Sequence, residues 1–128
     1  VSTTLKPLRH ARFWLGLWCA AVLVVIVVCL IPPPPLALPQ NSDKVEHLFA
    51  YFILAASAVQ LFATRRVLCA VAAGLVVMGV GIEWAQGALT TTRMADPMDV
   101  LANTAGVVAG MLMMLTPLRD FLLRLQPR

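Results

Sequence analysis

Charge is what this chain has least of: 12% of its 128 residues are Asp, Glu, Lys or Arg, against 60% hydrophobic. A soluble domain carries about twice that share of charge. With a mean hydropathy of +0.85, the balance excludes an ordinary water-soluble fold. Cysteine is also scarce. Cys19, Cys29 and Cys69 all lie inside apolar stretches without ligand-like spacing, so the cysteines indicate neither a disulfide framework nor a zinc site. No Ser or Cys stands in a nucleophile-activating motif. The chain holds two histidines and one tyrosine, so a polar site must draw on few residues.

What is abundant is long apolar sequence. Crossing a hydrocarbon core takes about 20 predominantly apolar residues, and four stretches qualify: about 13–31, 45–63, 67–88 and 97–116. The expected fold is therefore all-α: a polytopic membrane protein of four transmembrane helices in a single domain. After Pro117, Leu118, Phe121, Leu122 and Leu125 recur at helical spacing beside Arg119 and Arg124. That pattern predicts a short C-terminal interfacial amphipathic helix.

The first stretch follows basic residues, as a secretory signal does. It exceeds the usual apolar core of such signals and runs into Pro32-Pro33-Pro34-Pro35, so it is expected to remain as a span. Trp14 and Trp18 are expected as anchors near the inner interface. The proline run predicts a stiff extended connection, leading to Ser42 or Asp43 as cap of the second helix. Ala70, Ala72, Ala73, Gly74, Gly79 and Gly81 make the third span suited to close helix approach, and Ala102, Gly106 and Gly110 form a small-residue stripe on the fourth. Asp96-Pro97-Met98-Asp99 reads as a helix start, with Asp96 as N-cap and Pro97 in the first turn.

The net charge of +4 is distributed unevenly. Lys6, Arg9, Arg12, Arg65, Arg66, Arg119, Arg124 and Arg128 fall in the N-terminal segment, the turn between the second and third spans, and the tail. Lys44 and Arg93 fall at the other side, with most of the acids. In a soluble protein such a charge would suggest nucleic acid. Here it reads as orientation, with both termini cytoplasmic and no nucleic-acid partner.

Ionisable groups inside spans are costly and rarely face lipid. His47, Glu83 and Asn103 sit at comparable depths below the outer ends of three successive spans, and the inner halves of these spans carry no Asp, Glu or His. Lys44, His47 and Tyr51 share one helical face, and Glu83 and Gln86 another. With Arg93 and Asp99 they make a candidate ligand site of eight residues: Lys44, His47, Tyr51, Glu83, Gln86, Arg93, Asp99 and Asn103. A network of interhelical hydrogen bonds would use several of the same groups as clips. His47, Glu83 and Asp99 also offer ligand types for a transition metal. One histidine without a paired-ligand motif is weak support for one, and neither a metal nor another cofactor is expected.

The ordered set Asp43-Lys44-x-x-His47-x-x-x-Tyr51, Glu83-x-x-Gln86 and Arg93-x-x-x-x-x-Asp99-x-x-x-Asn103-x-x-Gly106, on three successive helices, resembles the VanZ-like family of small bacterial membrane proteins. The resemblance covers roughly residues 43–110; before Asp43 it is one of hydrophobicity alone. It implies the bacterial inner membrane and, through the namesake, a link to glycopeptide resistance of the teicoplanin type. It names no reaction. The residues suit an outward-opening pocket for an amphiphile, with Lys44 and Arg93 meeting an anionic headgroup; a membrane lipid or lipid-linked cell-wall precursor fits. An enzyme would use His47 as general base or nucleophile with Glu83 and Asp99 exchanging its proton. A structural or accessory subunit would fill the pocket with its own hydrogen bonds.

Overall fold

The computed structural model describes residues 4–32, 42–92 and 94–126. Among these, regular structure is entirely helical: α1 (Ala11–Leu30), α2 (Ser42–Leu61), α3 (Arg65–Leu89) and α4 (Pro97–Met111), then two 3-10 turns, Leu112–Leu115 and Pro117–Asp120, and a short α5 (Phe121–Leu125). Three helical segments are long and apolar enough to cross a membrane: α1, α3, and α4 with its 3-10 continuation to Leu115. The second helix is as long as α1, but Asp43, Lys44, Glu46 and His47 in its first two turns lower its hydropathy below that of the other three.

That second helix is nevertheless the hub. It packs most extensively on α4 and also touches α1 and α3. Its buried residues Tyr51, Leu54, Ala55, Ala58 and Val59 recur every three or four positions, as an inward stripe on a 3.6-residue helix must. Asp99, Asn103, Gly106, Val107, Gly110 and Met111 form the matching stripe on α4. The small-residue reading holds there: a Cβ on Gly110 would stand 2.6 Å from the Ala55 Cβ and 2.7 Å from the Phe52 carbonyl oxygen. It fails in part on α3, where of the three glycines in that reading Gly74 and Gly81 have nothing within 4 Å of such a Cβ and Gly79 alone abuts a neighbour. Composition marks small residues but not the face on which they lie.

The first helix is peripheral and buries no residue completely. Trp18 is not the lipid-interface anchor expected of it: its Nε1–H donates to the Leu54 carbonyl at 2.9 Å, and its ring stands edge-on to Phe62. The indole thus fastens α1 to α2.

At one end of the bundle the N-terminal segment lies against the α2–α3 turn through a single bridge, Leu5 with Phe62. The Lys6 Nζ–H donates to the Val59 carbonyl at 2.7 Å and to the Arg119 carbonyl, and pairs with Asp120 at 3.0 Å. The Arg9 amide donates to Gln126 Oε1 at 2.6 Å. The basic segments before α1, between α2 and α3 and after α4 therefore share one end, as the charge pattern requires. The tail is two short pieces and not one helix, because Pro117 opens a separate 3-10 turn; Leu118, Phe121 and Leu125 are exposed as an apolar face. The expected proline connection lies outside the described residues. The second helix is described from Ser42, with Asp43 in its first turn.

Candidate functional site

The other end of the bundle holds the polar residues. The fourth helix starts as its sequence demands: Asp96 is the N-cap, its carboxylate accepting from the Met98 amide at 2.9 Å, and Pro97 follows in the first turn. This start turns Asp99 inward, one turn before Asn103. The Asp96 amide donates to Glu83 Oε2 at 2.8 Å, so the carboxylate of Glu83 joins α3 to the entry of α4. The other carboxylate oxygen of Asp96 receives the Lys44 Nζ–H at 2.8 Å. That bond, and then the Met98 amide, hold the Asp96 carboxyl below its usual range.

His47 is the centre. Its Nδ1 lies 3.0 Å from Asn103 Oδ1, and its Nε2 lies 3.9 Å from Asp99 Oδ2. One ligand-type atom from each of His47, Glu83 and Asp99 falls within 4.8 Å of the others. Glu83, Asp99, Asn103 and Tyr51 are all at least nine-tenths buried. Four of their polar atoms make no hydrogen bond: Tyr51 Oη, Glu83 Oε1, Asp99 Oδ1 and Asn103 Nδ2. Gly79 makes the room. A Cβ there would sit 3.1 Å from Asn103 Nδ2 and 3.4 Å from Tyr51 Oη.

Of the eight residues expected from the sequence, Lys44, His47, Tyr51, Glu83, Asp99 and Asn103 come together. Gln86 lines the cavity that opens beside them, and its amide donates to the Cys29 carbonyl at 2.8 Å, binding α3 to the end of α1. Arg93 lies outside the described residues. Lys44 is placed differently from expectation: its ammonium meets three carboxylates, Asp96 at 2.8 Å, Asp99 at 3.5 Å and Asp43 at 3.7 Å. Its charge is thus engaged within the protein and not held open for an anion.

Two cavities meet at His47. One, of about 410 Å3, is polar and opens at the bundle end between Asp43, Gln86, Thr92, Asp96 and Asp99. The other, of about 200 Å3, is mostly apolar and runs between α1 and α2, lined by Val24, Val25, Val28, Cys29, Ala50 and Tyr51. Sequence reasoning missed the contribution of α1, because Val24 and Val28 are indistinguishable from other lipid-facing valines until the packing is known. A larger cavity of about 890 Å3 lies at the far end beside Arg9, Asp120 and Arg124, away from every buried ionisable group.

Comparison with protein-family models, with curated proteins and with solved structures returns no match. The all-helical fold and the three apolar helices of spanning length stand on the chain itself.

Proposed function

We propose that the chain is a VanZ-like integral membrane protein of four spans in the bacterial inner membrane, with cytoplasmic termini and a pocket opening outward that binds the polar head of an envelope amphiphile. The second helix serves as the fourth span. At 1.5 Å per residue its 20 residues reach about 30 Å. Its exposed side is apolar, with Val45, Phe49 and Ile53 all more than half exposed, while Lys44, His47 and Tyr51 face other helices. A helix screened in this way does not need the hydropathy of a lone span. The basic segments gathered at one end supply the orientation.

The observation that carries the function is the junction at His47 of a polar cavity with an apolar groove along α1. A head and a tail could each be satisfied there at once, which suits a membrane lipid or a lipid-linked cell-wall precursor. The link to glycopeptide resistance rests on the motif resemblance.

Mass spectrometry of lipids retained by purified protein tests the reading. Wild type should carry a defined lipid class that His47→Ala, folded to the same melting temperature, retains at a tenth of the level or less. Equal, unselective lipid content in both would overturn it.

A further inference from the structure

The polar site brings His47, Glu83 and Asp99 together from three helices. Asn103 Oδ1 is an acceptor, so His47 Nδ1 carries the hydrogen of their 3.0 Å contact, and a ring bearing that one hydrogen offers Nε2 as a lone pair. That lone pair faces Asp99 Oδ2 across 3.9 Å, too long for a hydrogen bond. Glu83 Oε1 and Asp99 Oδ1 are buried beside it without hydrogen-bond partners. Lys44 reaches only the rim of this group, at 3.5 Å from Asp99 Oδ1, and is bonded to Asp96. Three ligand-type atoms from three helices thus converge, while the donors Tyr51 Oη and Asn103 Nδ2 are buried nearby without bonding to them. One ammonium divided over Asp43, Asp96 and Asp99 compensates the buried Glu83–Asp99 pair only in part, and buried carboxylates without full compensation are costly.

We propose that His47 Nε2 with one carboxylate oxygen each from Glu83 and Asp99 binds a single divalent first-row transition-metal ion, zinc being the best match. An imidazole with two carboxylates is a donor set for such ions, whereas magnesium and calcium take oxygen. Ligand atoms about 2.1 Å from a tetrahedral metal lie roughly 3.4 Å apart. The three atoms here are within 4.8 Å of one another, so closure needs about 1.4 Å at most, within the reach of small χ rotations of Glu83 and Asp99. The surrounding bonds are those a metal site needs. Asn103 fixes the ring and its tautomer, and the Asp96 amide holds Glu83 Oε2, the outer contacts that orient first ligands.

Three protein ligands leave a coordination position open, and the polar cavity adjoins it through His47 and Asp99. An anionic head oxygen takes that position, a role that rests on the amphiphile reading, whereas the metal site itself does not. The cation would also explain how a pocket whose lysine is already paired with acids attracts an anion.

The test uses the full chain purified in detergent, with any affinity tag removed, stripped with chelator and then offered zinc, manganese, magnesium or calcium. Elemental analysis after gel filtration should find about one zinc per chain, with a melting temperature raised by several degrees, and neither effect with magnesium or calcium. Asp99→Asn and Glu83→Gln keep the shape of the ligands and should lower zinc to a tenth or less. Their metal-free melting should match or exceed that of stripped wild type, which separates lost ligation from lost folding. Less than about 0.2 zinc per chain in wild type, or equal zinc in wild type and Asp99→Asn, overturns the site and leaves a shared proton as the neutralising charge. Lipid retention is read on the same samples. Lipid held equally with and without zinc overturns the anchoring role alone, and zinc bound without any selected lipid overturns the amphiphile function while the metal site stands.

Discussion

Replacing Gly106 with alanine should loosen the bundle and the site together. In α4 this glycine faces the backbone of α2, where an added Cβ would fall closer than 3.0 Å to the Leu48 carbonyl oxygen, 3.0 Å from the Phe52 nitrogen and 3.2 Å from the Leu48 carbonyl carbon. Those are main-chain atoms that cannot rotate away, and ordinary contact begins near 3.4 Å. The helices must part by about half an ångström or more. Overpacking of this kind costs about 1–3 kcal/mol, and the gain in helix propensity returns at most about 1 kcal/mol. A net loss of about 1–2 kcal/mol follows, or on the order of 5 °C in detergent melting. The same movement carries Asn103, one turn earlier on α4, away from His47, one residue before Leu48, and lengthens a hydrogen bond that is 3.0 Å at rest past the usual limit. Gly74→Ala is the control. Nothing lies within 4 Å of its Cβ, so propensity alone acts and melting should hold or rise. A Gly106→Ala protein that melts at or above the Gly74→Ala protein would refute the packing argument.

Lys6→Met keeps an unbranched chain but removes the donor to Val59 and Arg119 and the partner of Asp120; a loss of about 1–3 kcal/mol is expected from the stranded acceptors, read as earlier thermal unfolding and faster proteolysis of the N-terminal segment. The same clasp gives a pH dependence. Lys6 above all, and then Arg119, holds the Asp120 carboxyl below its ordinary value of 3.8. Its contribution is therefore complete above the unfolded pKa and is lost as pH falls through the lower folded one. Wild type should lose stability relative to Asp120→Asn only on acidification below about pH 4; a loss between pH 5 and 8 would contradict the assignment. For orientation, a C-terminal reporter active only outside the cell should remain silent, and strong signal from it would move the polar pocket to the cytoplasmic face.

The parts of this molecule that could be read from sequence are those fixed locally. Asp96-Pro97 declares a helix start because a cap and a ring without an amide donor act within one turn. The inward stripes of α2 and α4 follow from 3.6-residue spacing, and the convergence of His47, Glu83, Asp99 and Asn103 follows from their similar distances from the helix ends. What escaped was set by neighbours distant in sequence. Lys6 looked like one more cytoplasmic charge, yet its ammonium is closed over by chain more than 50 residues away. Gln86 looked like a site residue alone, yet beside the cavity it also ties α3 to α1. Gly74 and Gly81 share composition with Gly79 and Gly106 but not their facing.

The same distinction governs the reading of Lys44. Sequence places a lysine beside a pocket and invites an anion; structure surrounds that lysine with Asp43, Asp96 and Asp99. One of those pairs reaches the buried Asp99 Oδ1 itself at 3.5 Å, but the ammonium is shared with Asp43 and Asp96, and Glu83 Oε1 stays buried without a hydrogen bond. Lys44 therefore offsets the interior charge only in part. Whatever balances the interior must fit beside His47 and Asp99, where the polar cavity reaches them, and be positive enough to offset two carboxylates. A proton satisfies the first requirement and half of the second, while a divalent ion satisfies both. This is why Glu83→Gln and Asp99→Asn, which each remove one negative charge without changing shape, discriminate between those occupants more sharply than any truncation of the same side chains.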